Sequence, residues 1–116
     1  RVVDLLLRGG AEINHQNSKG NTALTGAAMS GHERVIDMLM QRGAEVNKQD
    51  SVGQTALMYA AYQNHPATML RLLRAGADTA LRTASGKTAI QLAKNRGNAE
   101  CMRTFEEHLA AVKAEA

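Results

Sequence analysis

One phrase returns three times at a fixed step. Gly20-Asn21-Thr22-Ala23-Leu24 recurs as Gly53-Gln54-Thr55-Ala56-Leu57 and again as Gly86-Lys87-Thr88-Ala89-Ile90, 33 residues apart each time. Other markers keep the same step: Gly10-Ala11-Glu12, Gly43-Ala44-Glu45 and Gly76-Ala77-Asp78; Leu6, Leu39 and Leu72; His32 and His65. Residues 1–20 match residues 34–53 at eleven of twenty positions. A period of this length means a quasi-one-dimensional stack, in which no unit buries its apolar face alone.

Within each unit, local chemistry predicts two helices and a loop. Thr22, Thr55 and Thr88 are candidate N-caps, their hydroxyls accepting from the free N–H groups of short Ala-rich helices at 23–30, 56–63 and 89–96. Gly31, Asn64 and Gly97 follow, residue types that adopt the left-handed conformation ending a helix. Second helices are predicted at 33–42, 66–75 and from 99 onward, with Pro66 in a first turn where its missing N–H costs nothing. Val35, Ile36, Leu39 and Met40 form one apolar stripe at helical spacing. Polar segments such as 47–52 are too short for a third helix and suit a turn or hairpin finger. The chain is 44% hydrophobic but only 3% aromatic, with no Trp and six Met. Its core must therefore come from small and flexible apolar side chains, which suits closely stacked helices.

Thr-Ala-Leu-x-x-Ala-Ala, Gly-His, the Leu-Leu pair, Gly-Ala-acid-Val-Asn and the Gly-x-Thr phrase, at a 33-residue period, resemble ankyrin repeats, and the resemblance covers essentially the entire chain. It implies an all-α solenoid of stacked helix-turn-helix units with hairpin or finger loops, and a concave face made by first helices and finger tips. The chain would form a single domain: a partial leading unit at 1–19, full units at 20–52 and 53–85, and a capping unit at 86–116 with a helical extension. The pattern departs from the family in two ways. The usual Thr-Pro-Leu-His has Ala at Ala23, Ala56 and Ala89 in place of Pro, and Thr25, Met58 and Gln91 in place of His. The histidine's hydrogen bonds, each worth about 0.5–1.5 kcal/mol net, are missing or replaced, and modest stability with the same fold is expected unless Ala and Met packing offsets the loss. In the third full unit Ala80 replaces the Asn of Asn14 and Asn47, and Leu81-Arg82 replaces polar residues, so that finger is expected to differ in shape.

The two ends differ. Thr104, Glu106 and Glu107 stand where inner units carry Met38, Met40 and Gln41, while Cys101, Met102 and Phe105 keep the inward stripe, the pattern of a C-terminal cap. The resemblance makes 1–9 the second helix of an incomplete unit. Val2, Val3, Leu5 and Leu6 then need upstream repeats or a partner to cover them. With no initiating Met, the chain is expected to begin mid-protein.

Several short motifs suggest chemistry, and each fails on spacing. Gly86-Lys87-Thr88 evokes a phosphate-binding loop, but that motif needs a glycine where Leu81 stands, and a preceding strand. Its counterparts Gly20-Asn21-Thr22 and Gly53-Gln54-Thr55 assign Gly86 to a turn and Thr88 to a cap. Nucleotide binding there remains a remote third reading. His32-Glu33 starts a zinc-protease-like motif whose second histidine is Ile36. His32 and His65, on helices about 8–10 Å apart, are too distant to share a zinc, and capping of the turn between helices accounts for them better. Cys101 and His108 are seven residues apart on one helix, about 10 Å along its axis, so they make no catalytic dyad. No catalytic, metal or cofactor site is expected, and the chain reads as a non-enzyme.

Fourteen basic against eleven acidic side chains give a net charge of +3 without a basic run, too little to imply nucleic acid. No apolar stretch reaches membrane-spanning length. A single cysteine and the lack of an Asn-x-Ser/Thr sequon favour a reducing, cytoplasmic location. What remains is a surface for another protein. Positions that the repeat leaves free are Ser18, Lys19 and Asn21, Ser51, Val52 and Gln54, Ala84, Ser85 and Lys87 on the fingers, and Met29, Ser30, Tyr62, Gln63, Asn95 and Arg96 at the ends of first helices. Tyr62 and Arg96 lead, because Tyr and Arg are enriched among residues that dominate binding energy. Arg71, Arg74, Arg82, Lys87, Lys94 and Arg96 make the second half basic and suggest an acidic partner surface. The alternative is a structural spacer or regulatory segment of a larger protein.

Overall fold

A computed structural model describes residues 13–115, with side chains through residue 114. The expected leading helix and its apolar residues Val2, Val3, Leu5 and Leu6 lie outside the described residues. Six helices follow in order: α1 Ala23–Ser30, α2 Glu33–Gln41, α3 Ala56–Tyr62, α4 Pro66–Arg74, α5 Ala89–Arg96 and α6 Ala99–Glu115. No strand occurs among the described residues. The fold is an all-helical solenoid.

Each first helix starts where a threonine can cap it. Thr22, Thr55 and Thr88 have extended backbones, and their Oγ1 atoms accept from the N–H of Thr25, Met58 and Gln91 at 3.3, 3.3 and 3.4 Å. Of the two outcomes expected for the family's histidine bond, missing or replaced, the second occurs. Thr22 N–H donates to Thr25 Oγ1 at 2.8 Å, Thr88 N–H to Gln91 Oε1 at 2.9 Å, and Thr55 N–H to the weaker acceptor Met58 Sδ at 3.4 Å. Three different side chains close the same reciprocal box because each places an acceptor over the first turn. Gly31 and Gly97 then take φ near +71°, and Asn64 takes φ +60°. Helices α2, α3 and α4 end one residue earlier than the sequence predicts, with Arg42, Gln63 and Ala75 in the C-cap position.

The helices pack in two layers. First helices α1, α3 and α5 lie side by side, as do second helices α2, α4 and α6, and each first helix also packs on the second helix that follows it. Between first helices the buried side chains include Ala27, Ala28, Ala60, Ala61 and Ala93. Small side chains let these backbones approach closely. Larger groups fill the space between the layers: Leu24, Ile36, Leu39, Leu57, Met58, Met69, Leu72 and Cys101 are each almost fully buried. Removing one such Leu costs about 2–5 kcal/mol, so one truncation can take a large part of a small domain's stability.

The fingers are joined by a repeating set of hydrogen bonds. Gln16 Nε2 donates to Gly20 O and across to Gln49 O, and Gln49 Nε2 donates to Gly53 O and across to Arg82 O. Backbone bonds run the other way, from Ser51 N–H to Lys19 O and from Ala84 N–H to Val52 O. Nearer the second helices, Asn14 Oδ1 accepts from Glu45 N–H and Asn47 Oδ1 from Asp78 N–H, both at 2.7 Å. The third finger keeps the turn of the others, contrary to its expected divergence. Thr83 Oγ1 accepts from Lys87 N–H as Asp50 Oδ1 accepts from Gln54 N–H, and Thr83 N–H donates to Lys87 O as Asp50 N–H does to Gln54 O.

This ladder separates two reasons for glycine at the finger turn. Gly53 and Gly86 both have positive φ, +81° and +84°. A Cβ on Gly53 would sit 2.9 Å from Ala84 N of the next finger, whereas one on Gly86 meets nothing within 4 Å. Gly86→Ala is expected to lose only the left-handed strain, about 1–2 kcal/mol, and Gly53→Ala clearly more. Chemical denaturation of the two variants checks the order, and equal losses would contradict the stacking account.

Candidate protein-binding surface

Two residues singled out for their chemistry meet in space. Tyr62 closes α3 and Arg96 closes α5, and because first helices lie side by side the Arg96 guanidinium sits over the Tyr62 ring, 4.3 Å from its centroid. A cation over an aromatic face is attracted by the ring quadrupole, by about 0.5–1 kcal/mol at exposed sites. Both side chains are exposed, Tyr62 at 37%. Asn98 holds the α3 terminus below them: its Nδ2 donates to Ala61 O at 2.8 Å and Tyr62 O at 3.1 Å. One unit earlier His65 does the same work, Nε2 donating to Met29 O at 3.2 Å. His65 thus ties neighbouring units together.

The remaining first-helix and finger positions divide by exposure. Ser18, Lys19, Ser30, Ser51, Val52, Gln63, Lys87 and Asn95 are exposed, whereas Asn21, Met29 and Gln54 are half-buried. Gln54 N–H is committed to Asp50, and Asn21 Oδ1 is buried without a hydrogen-bond partner. Val52, 49% exposed, stands at the tip of the middle finger. Asp50 anchors that finger. Its Oδ1 accepts from the N–H groups of Val52 and Gln54, and its Oδ2 accepts from the Tyr59 hydroxyl of α3. No periodic signal marks this link, because Asn17 and Thr83 replace Asp50 in the other units and Gly26 and Leu92 replace Tyr59. Burial, then the bond to Asp50 and its charge, push the Tyr59 hydroxyl up to about 12.

Arg71 leaves the basic set proposed for a partner. Its guanidinium pairs with Asp37 and, at 3.3 Å, with Glu33, joining α4 to α2. Arg82 donates to Gly86 O within its own finger. Lys87, Lys94 and Arg96 have no carboxylate within salt-bridge distance among the described residues.

The chemical motifs resolve into architecture. Gly86 makes a turn and Thr88 caps α5, as their counterparts do in α1 and α3. Cys101 is fully buried against Ala60 O and Asn64 Oδ1, and burial pushes its thiol up to about 11. Among the described residues no three His, Cys, Asp or Glu side chains converge to hold a metal, and no helix is long and apolar enough to cross a membrane.

The family model for ankyrin repeats in three copies matches residues 1–83. The chain belongs to the ankyrin-repeat family. Helices α5 and α6 lie beyond the matched span, yet they repeat the Thr cap, the left-handed glycine and the stacking of the ankyrin units before them. No curated protein gives a significant match. Ankyrin repeats are generally protein–protein interaction modules and typically non-enzymatic.

The Tyr59–Asp50 bond gives a pH signature. In Tyr62→Phe, Tyr59 is the remaining tyrosine, and its phenolate absorbance is expected to rise with a midpoint near 12. Because the folded value lies above the ordinary tyrosine value of 10.0, the linked stabilisation is complete below pH 10.0 and is lost as pH rises through about 12. A midpoint near 10 with the fold intact would show that the bond does not form in solution.

Proposed function

We propose that this protein is a non-enzymatic interaction module, a single ankyrin domain that binds another protein through its finger tips and the exposed face of its first helices. Within it, 1–19 is a partial leading unit, 20–52 and 53–85 are full units, and 86–116 is a capping unit with a helical extension. The contact set is Ser18, Lys19, Asn21, Met29, Ser30, Ser51, Val52, Gln54, Tyr62, Gln63, Lys87, Asn95 and Arg96, with the exposed members carrying the energy.

The observation that supports this most is the Arg96–Tyr62 stack. Positions 29, 62 and 95 carry Met, Tyr and Asn, and positions 30, 63 and 96 carry Ser, Gln and Arg. Nothing in the repeat demands Tyr or Arg there. The stack holds two rotamer-rich side chains together at the surface, which lowers the ordering cost that binding would otherwise impose. A solvated surface has no comparable need for an exposed aromatic ring.

Tyr62→Ala combined with Arg96→Ala is expected to reduce affinity for a protein captured by the immobilised wild type by about thirtyfold, the effect of ~2 kcal/mol at a binding hot spot. Unchanged far-ultraviolet circular dichroism would confirm that the variant is folded. Undiminished capture by a folded double variant would count against the first-helix face as the binding surface.

A further inference from the structure

The two layers of the solenoid treat charge differently. Second helices carry both signs, and some of these charges pair: Arg71 of α4 with Glu33 and Asp37 of α2, Arg103 with Glu100 within α6. First helices α1, α3 and α5 contain no carboxylate, and α5 carries Lys94 and Arg96. The finger tips at 17–21, 50–54 and 83–87 contain one carboxylate, Asp50, whose two oxygens are occupied by Val52 and Gln54 N–H and by the Tyr59 hydroxyl. The second-helix layer is of mixed sign, and the first-helix layer with its finger tips is left positive.

Helix electrostatics account for only part of this. Lys94 and Arg96 lie in the last turn of α5, where cations favour the helix dipole, as Arg71 and Arg74 do in α4. Lys87 is placed the other way. It immediately precedes Thr88, the N-cap of α5, where the dipole disfavours a cation, and the equivalent positions hold neutral Asn21 and Gln54. A lysine there needs a reason outside the helix. Val52 and Tyr62, two of the four large apolar residues left exposed among the described residues, lie on this same layer.

Taking the first-helix layer as the binding surface proposed above, we infer that its occupant is an extended acidic segment of a partner protein carrying an apolar side chain. Its carboxylates meet Lys87 and Arg96, and its apolar group meets Tyr62 or Val52. Arg96 ends α5, seven helical steps or about 10 Å from Ala89, and Lys87 lies two residues before that helix, a separation which four to five residues of extended peptide span at ~3.4 Å each. The Arg96 guanidinium offers a fork for a carboxylate while its face rests on Tyr62.

The test uses a synthetic peptide alternating Glu with Phe, its counterpart with Lys for every Glu, and backbone amide shifts of the isotope-labelled protein. The acidic peptide is expected to perturb residues of α3, α5 and the second and third fingers, with binding lost near 1 M salt, where the screening length falls to about 3 Å. Lys87→Glu should weaken it about tenfold. Arg74→Glu, in the last turn of α4 with the same relation to its helix dipole, should leave it unchanged. No perturbation by the acidic peptide, equal perturbation by the basic one, or equal sensitivity to Arg74→Glu each overturns the inference. If a captured protein is lost with the Tyr62 and Arg96 substitutions but binds Lys87→Glu normally, the binding face stands and its acidic occupant falls.

Discussion

The structure depends on a deficit within each unit. A helix pair of this length has apolar surface on both flanks, and only a neighbouring pair can cover it. The Ala-rich first helices make that cover close: with Ala28, Ala60, Ala61 and Ala93 buried between them, adjacent backbones approach without large side chains to hold them apart. Larger residues such as Leu39, Met69 and Leu72 then fill the space toward the second layer. Stacking supplies the core, and the caps and turns make each unit the right shape to stack.

The finger ladder follows from that spacing. Once neighbouring units are held in register, Gln16 and Gln49 each reach their own turn and the next finger with one amide, satisfying carbonyls that would otherwise face an incomplete set of donors. At the last finger the direction ends. Arg82 replaces the glutamine and turns back to Gly86 O, and the space beyond Gly86 is open. The same end effect explains why Ala80 can replace Asn14 and Asn47: the side chains of those asparagines accept from a loop N–H 31 residues on, and 31 residues beyond Ala80 the chain is still inside α6.

Much of the fold was legible in the sequence because local chemistry and the period agree. Thr22, Thr55 and Thr88 mark helix starts, Gly31, Asn64 and Gly97 mark ends, and the 33-residue step identifies the stack without any knowledge of contacts. The pairings that cross from one unit to another were less legible. Arg71 read as a free cation because Glu33 and Asp37 are more than thirty residues away in sequence, yet the α2–α4 contact brings them together. The Tyr59–Asp50 bond and the Arg96–Tyr62 stack involve residues that occur in one unit only, so periodicity is silent about them. The family's missing histidine and the residues in its place were visible, but not that Thr25, Met58 and Gln91 each close the cap, since three unlike side chains share only the placement of one acceptor atom.

A repeat protein allows architecture to be subtracted from its sequence. Whatever recurs at all three units, Gly86 and Thr88 included, is required by stacking, capping or turning. What does not recur is either an adjustment to a particular neighbour or a surface choice, and the structure separates these two. Asp50 and Tyr59 differ from their counterparts because they hold each other, and Asn98 differs from His65 while making an equivalent bond to the preceding unit. Lys87 has no such internal explanation: it is exposed, lacks a carboxylate partner among the described residues, and stands at the helix end where its charge is least favourable. The contact role proposed for Lys87 rests on this: helix stability disfavours the residue and packing does not require it. The phosphate-loop reading fails at Gly86 and Thr88, while the lysine between them remains to be explained by what the protein touches.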